Sequence, residues 1–234
     1  MHIPDGYIGP QTYAPAYGIM AVVWAAVSAR LKKTLSDRQI PLLALGSAFT
    51  FVVMMFNVPL PGGTTGHAVG AVLVAILLGP SAACVAVTIA LVVQALLFGD
   101  GGITAIGANC FNMAFVMPFV GFGVYALLRG TSGRSSRMRP FAAAAAAYVG
   151  LNAAAFCLAV ELGIQPAIAH DAAGRALYAP FPLGVTLPVI MVENLLLPGV
   201  VEALVTGLAV AYLQKAEPAL LRIDERAAEE VEIG

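Results

Sequence analysis

Between Gln39 and Leu128 the only Asp, Glu, Lys or Arg is Asp100. No water-soluble domain can hide so long an apolar run behind so little polar surface, so the run must lie in a bilayer. The rest agrees: 60% of the 234 residues are hydrophobic and 11% charged, against about 25% charged in soluble domains. A net charge of -1 gives no global steering towards nucleic acid. Cys84, Cys110 and Cys157 are scattered through apolar stretches, which reads as packing rather than a disulfide framework or a thiolate site.

A spanning helix needs roughly 20 apolar residues. Glycine, proline and charged breakers cut the chain into seven such runs, residues 13–29, 42–56, 68–78, 82–98, 105–128, 141–162 and 183–212. The expected fold is therefore all-α, a seven-helix membrane bundle over residues 1–214 with a charged tail over 215–234. The third run is short, and Gly79-Pro80-Ser81 separates it from the fourth either as a tight turn between two crossings or as the end of a re-entrant segment. The last run exceeds one crossing and contains Pro198-Gly199, so it tilts and kinks or divides into two helices.

Basic residues concentrate after the first, fifth and seventh runs, at 30–38, 129–139 and at Lys215, Arg222 and Arg226. Positive segments stay cytoplasmic. Seven crossings place all three on that side of the cytoplasmic membrane, leaving the N-terminus outside and the C-terminus inside. The cluster at 129–139 also offers a contact for anionic lipid or a protein partner, although topology alone accounts for it. The outer face then receives His2, His67 and His170 together with Asp5, Asp100 and Asp171. The opening residues lack the basic start and apolar core of a cleavable signal, and the large His2 disfavours methionine trimming, so the mature chain is expected to begin at Met1.

A histidine at position two can chelate one ion through the α-amine, the deprotonated amide of residue 2 and imidazole Nδ1. His67 is the other histidine at a span edge and supplies a fourth nitrogen. Such a set favours tetragonal Ni(II) or Cu(II), with Co(II) acceptable, and suits Mg(II) or Ca(II) poorly. Each histidine, taken singly, could equally be an interfacial side chain. Pro4 restricts Ile3, and Gly62-Gly63-Thr64-Thr65-Gly66-His67 is a glycine loop in which Thr64 and Thr65 could orient the imidazole. Gln94, Asp100, Asn109 and Asn112 gather near the turn between the fourth and fifth runs. They either support the metal loop or bond one helix to another.

MHIPDGY at the start, NVPLPGGTTGHAVGA, QALLFGDGGITAIGANCFNMAF, VELGIQP and VEALVTGL resemble the CbiM/NikM family. The likeness runs from Met1 to about Tyr212, and its opening and GGTTGH wording is similar to the nickel-type members. The resemblance implies the substrate-binding S component of an energy-coupling-factor ABC importer for nickel or cobalt. It further implies seven membrane helices, with the ion as transported ligand and no resident cofactor. The metal ligands would be Met1 through its amine, His2 through amide and imidazole, and His67. The implied partners are a membrane T component, cytoplasmic ABC ATPases and often a small accessory membrane subunit. The sequence has no Walker A pattern, and Gly99-Asp100-Gly101-Gly102 follows a membrane helix without a βαβ unit, so nucleotide chemistry is not expected in this chain.

Glu193 and Glu202 lie within the last run, where an unpaired charge costs at least about 2.5 kcal/mol. They could pair with amides, stay protonated, approach the interface through the kink at Pro198, or act as relays in the competing reading, a metal channel or proton-coupled permease working alone. Glu161 reads as interfacial, and His170 with Asp171 as a solvated loop pair. No nucleophile and base at helical spacing and no HExxH helix support an enzyme.

Overall fold

A computed structural model describes residues 1–37, 39–60, 64–129 and 138–222. Gly62, Gly63, most of the 129–139 basic cluster and the tail beyond Arg222 lie outside the described residues.

The chain is a bundle of helices: α1 (Pro10–Thr34), α2 (Ile40–Met54), α3 (Ala71–Leu78), α4 (Pro80–Val93), α5 (Ile106–Asn109), α6 (Met117–Arg129), α7 (Arg139–Gly163), α8 (Gln165–Ile168), α9 (Leu183–Leu196) and α10 (Pro198–Ala216). Among the described residues, five helical segments are long and apolar enough to cross a membrane: Pro10–Thr34, Pro80–Phe98, Ile106–Arg129, Arg139–Ile168 and Leu183–Ala216. The protein is a multi-pass membrane protein.

Two of the seven expected runs form helices shorter than the roughly 20 residues of a full crossing. α2 has 15 residues, and α3 has 8. At 1.5 Å per residue α3 is about 12 Å long, against a hydrocarbon core of about 30 Å. Residues Ala71 to Ile76 of α3 are all buried, so protein rather than lipid surrounds this half-length helix. Gly79, at φ +84°, turns the chain directly from α3 into Pro80 at the start of α4. The last run divides into α9 and α10 at Leu197, whose φ of -124° and ψ of -70° break the helix ahead of Pro198.

α7 is the packing hub, contacting α6, α9 and α10. Its buried face is mostly small, with Ala143, Ala146, Ala147, Gly150, Ala154 and Ala155 among the buried residues. Without a hydrophobic drive between helices in lipid, close backbone approach supplies the attraction. At Gly150 a Cβ would stand 2.8 Å from the Met117 carbonyl and 2.9 Å from Val72 Cγ2, so an alanine there would wedge α6 from α7.

The all-α expectation misses one small element, an antiparallel hairpin of β1 (Val58–Leu60) and β2 (Thr64–Gly66) with Val58 opposite Gly66. Two helical segments widen to π geometry, Gln94–Phe98 after α4 and Cys110–Val116 between α5 and α6. Such widenings are often found at functional sites.

The N-terminal segment, the β-hairpin and the loops at 99–105 and 163–182 converge at one end of the bundle. Gly102 N–H donates to the Ile3 carbonyl at 2.8 Å, and Ala179 N–H to the Tyr7 carbonyl at 3.1 Å. Gly9, just before α1, donates its N–H to Gln165 Oε1 at 3.0 Å and lies where a Cβ would meet the Tyr178 ring at 2.5 Å. At the other end Arg139, buried at the start of α7, donates to Tyr125 and to the Leu221 carbonyl, each at 2.8 Å. Residues 220–222 are thereby held to the bundle beyond α10.

Candidate metal-capture site

The first three residues run into the bundle. Met1 is buried, and its amine donates to the Thr65 carbonyl of β2 at 3.0 Å. Ile3 is clamped at both backbone groups: its N–H donates to Asn109 Oδ1 at 2.8 Å, and its carbonyl accepts from Asn109 Nδ2 at 3.1 Å. Asp5 accepts from the Thr104 N–H at 2.8 Å, the Thr104 hydroxyl at 2.5 Å and the Ile103 N–H at 3.1 Å. These bonds hold the Asp5 carboxyl below its ordinary range. Gly102 makes room for the arrangement, since a Cβ there would stand 2.4 Å from the Asp5 nitrogen.

This anchoring lays His2 on His67. Their ring centroids are 4.7 Å apart at an interplanar angle of 23°. His67 Nδ1 faces the Ala68 carbonyl at 3.0 Å, which fixes the proton on that nitrogen and leaves Nε2 as a lone pair. Nε2 of both histidines is buried without a hydrogen-bond partner. His2 Nδ1 stands 3.4 Å from Asp100 Oδ1. Gln94, wholly buried, lies against His2, with both amide atoms also unpartnered. So many orphaned polar atoms in one place are a deficit that a ligand would relieve.

Burial keeps these bases uncharged. It pushes the Met1 amine from 8.0 down to about 5, against the opposing pull of Asp100 and Glu193. It takes His2 from 6.5 to about 3, assisted by the amine charge and opposed by Gln94. His67 falls well below 6.5 from burial, then from the charges of the amine and His2. Burial raises Asp100 above its ordinary value, with the amine and Asn57 acting oppositely.

The loop behind His67 has its own anchor. Glu202 of α10, fully buried, accepts the Val69 N–H at 2.7 Å and the Gly70 N–H at 3.0 Å. Gly70, at φ +74°, starts α3. The sequence left Glu202 to pair with amides, stay protonated, approach the interface or act as a relay; its partners are main-chain amides of the loop behind His67. The one available signal was a carboxylate in an apolar run, which demands a donor without naming it.

The other expected residues fall as follows. Thr65 serves through its carbonyl, its side chain being exposed, and Thr64 pairs with Leu60 in the hairpin. The Ala68 carbonyl meets His67 Nδ1 and so orients the imidazole. Asn112 donates to Glu161 at 2.7 Å, a helix-to-helix bond that draws Glu161 into the bundle instead of the interface. His170 is exposed and apart from the other two, and Asp171 closes a local turn with Arg175 at 2.8 Å. Among the described residues no three His, Cys, Asp or Glu side chains form a metal-binding group. Any nitrogen site here must draw on main-chain donors.

Residues 2–220 match the family model described as the cobalt uptake substrate-specific transmembrane region, CbiM. The chain belongs to this family. Among curated CbiM-family relatives, the fused nickel transport protein NikMN of Rhodobacter capsulatus is 51% identical over 94% of this chain, which spans 64% of that protein's length. The cobalt transport protein CbiM of Lachnoclostridium phytofermentans is 42% identical over 54% of this chain and 52% of its own. A crystal structure of a transition metal transporter superposes with a TM-score of 0.88 at 48% identity, covering 97% of this chain and 99% of the other.

Proposed function

We propose that this CbiM-family chain captures Ni(II) or Co(II) from outside the cytoplasmic membrane, as the substrate-binding S component of a multi-subunit importer. One observation carries the reading: two stacked imidazoles with unpartnered nitrogens lie beside a buried, uncharged N-terminal amine. Neutral nitrogen bases suit borderline divalent ions and offer little to Mg(II) or Ca(II).

In the proposed complex the Met1 amine, the His2 amide nitrogen and His2 Nδ1 chelate the ion from one side, and His67 Nε2 completes the square. His2 Nδ1 must leave the Asp100 carboxylate to do so, a contact that at 3.4 Å to a neutral ring is weak. The carboxylate then faces an ion whose charge the four nitrogens only partly neutralise. Because the bases are already deprotonated, capture releases chiefly the amide proton. The charge pattern supports an outward N-terminus and a cytoplasmic C-terminus. The family supports coupling to a T component, ABC ATPases and an accessory membrane subunit for the energised step. The fusion partner in the nickel relative is consistent with an assembly of several parts. A permease using Glu202 as a relay finds less support, since that carboxylate is engaged by two backbone N–H groups.

Isothermal titration with Ni(II) and Co(II) tests the reading, using the purified chain beside a variant carrying one extra glycine before Met1. The extension displaces both the amine and the position-two histidine. Binding lost on extension supports the proposal, and equal affinity in both chains refutes it.

A further inference from the structure

Chelation uses the rings and the amine but leaves the space beside them without a role. A cleft of about 260 Å³ opens there, with Met1, His2 and Thr65 on one wall and Glu193 and Asn194 of α9 on the other. Asn194 is 4% exposed; its Nδ2 donates to the Ile190 carbonyl at 2.8 Å, and its Oδ1 has no hydrogen-bond partner. A buried amide oxygen on a cavity wall is unfavourable unless water or a cation meets it. Beside it Glu193 lies ten residues into α9, roughly 15 Å along the helix. The carboxylate acts across the cleft on the Met1 amine. Carboxylates at such depth turn to cavities rather than lipid. The volume suffices for a hexahydrated ion, whose six waters occupy about 180 Å³ at ~30 Å³ each.

The two donors on this wall are oxygens, unlike the nitrogens opposite. Oxygen ligands suit a divalent ion that still holds part of its water shell, whereas imidazole and amide nitrogen suit one that has shed it. We propose that Glu193 and Asn194 form a second, oxygen-lined cation subsite, where an arriving hydrated divalent ion pauses before the nitrogens replace its water. The order of transfer rests on the nitrogen-site reading; the subsite itself does not.

Mn(II) is the probe that separates the two, since it favours carboxylate and carbonyl oxygen and binds nitrogen sets weakly. In the full chain extended by one N-terminal glycine, paramagnetic resonance titration should show one Mn(II) site. Glu193→Gln should weaken it at least tenfold, and Asn194→Asp should tighten it. In the unextended chain, stopped-flow absorbance should show Ni(II) association slowed several-fold by E193Q, with dissociation unchanged and E193D close to the parent. Equal Mn(II) affinity in parent, E193Q and N194D would overturn the subsite, and unaltered Ni(II) association in E193Q would overturn its place in the order of transfer. N194D gains affinity only in a folded protein, so a destabilised E193Q does not decide the matter. Failure of the nitrogen site would appear separately, as no Ni(II) spectrum in the unextended chain with the Mn(II) result intact.

Discussion

Replacing Asn109 by alanine removes both hydrogen bonds that hold Ile3 without touching a proposed ligand. The Ile3 carbonyl keeps the Gly102 N–H at 2.8 Å, so it remains paired. The Ile3 N–H loses its acceptor in a fully buried position. An unpaired buried N–H costs about 1–3 kcal/mol. Without metal the N-terminal segment can escape that cost by swinging out to water, but a bound ion pins Met1 and His2 and forces the complex to bear it. Ni(II) affinity in N109A should therefore fall roughly 5- to 150-fold, the same energy expressed as a ratio. Titration calorimetry at pH 7.5 measures it directly, with thermal melts of both proteins as a check on folding. An affinity within twofold of the parent, in a protein that still folds, would refute the idea that the Asn109 clamp presents the N-terminus to the ion.

The pH dependence follows from bases held neutral. The amine is lowered from 8.0 to about 5 and His2 from 6.5 to about 3, so between those values the unfolded chain binds protons that the folded chain does not. Folding stability is therefore complete above about pH 8 and declines as pH falls towards 5 and then 3, which thermal melts across this range should record. Metal affinity should change only about tenfold per pH unit between 5.5 and 7.5, the slope of one released amide proton, instead of collapsing near the ordinary imidazole value. A slope of two or more protons in competition titrations would mean that the bases are charged in the folded protein. Glu202→Ala should lower the melting temperature and weaken Ni(II) binding, because it strands the Val69 and Gly70 N–H groups at about 1–3 kcal/mol each. Glu202→Gln keeps one acceptor oxygen and should restore much of both, a rescue that a proton relay would not allow.

Membrane character and helix breaks were legible because they are local. Asp100 alone across ninety apolar positions, Gly79-Pro80 and Pro198-Gly199 each act on their own neighbourhood. The meeting of His2 with His67 was legible for a different reason, since position two and a glycine loop limit what such histidines can do. The shortness of the third run was legible too, but not that protein surrounds it, because a run such as AVLVAILL is equally apolar in lipid or inside protein. The work of Asn109 and Glu202 was legible only as one alternative among several, without the partners. Both reach main-chain groups more than a hundred residues away, and such bonds leave no periodic trace. A hydroxyl beside a histidine suggests support, whereas what Thr65 gives the Met1 amine is its backbone carbonyl.

The π-helical stretch Cys110–Val116 lies between Asn109 and the helix that packs on α7. One residue more or fewer on a helix turns everything beyond it by about 100°. Aim is thus stored in a count of residues rather than in their chemistry. Shortening this stretch to ordinary pitch would swing the asparagine off its target with every side chain of the site still in the sequence.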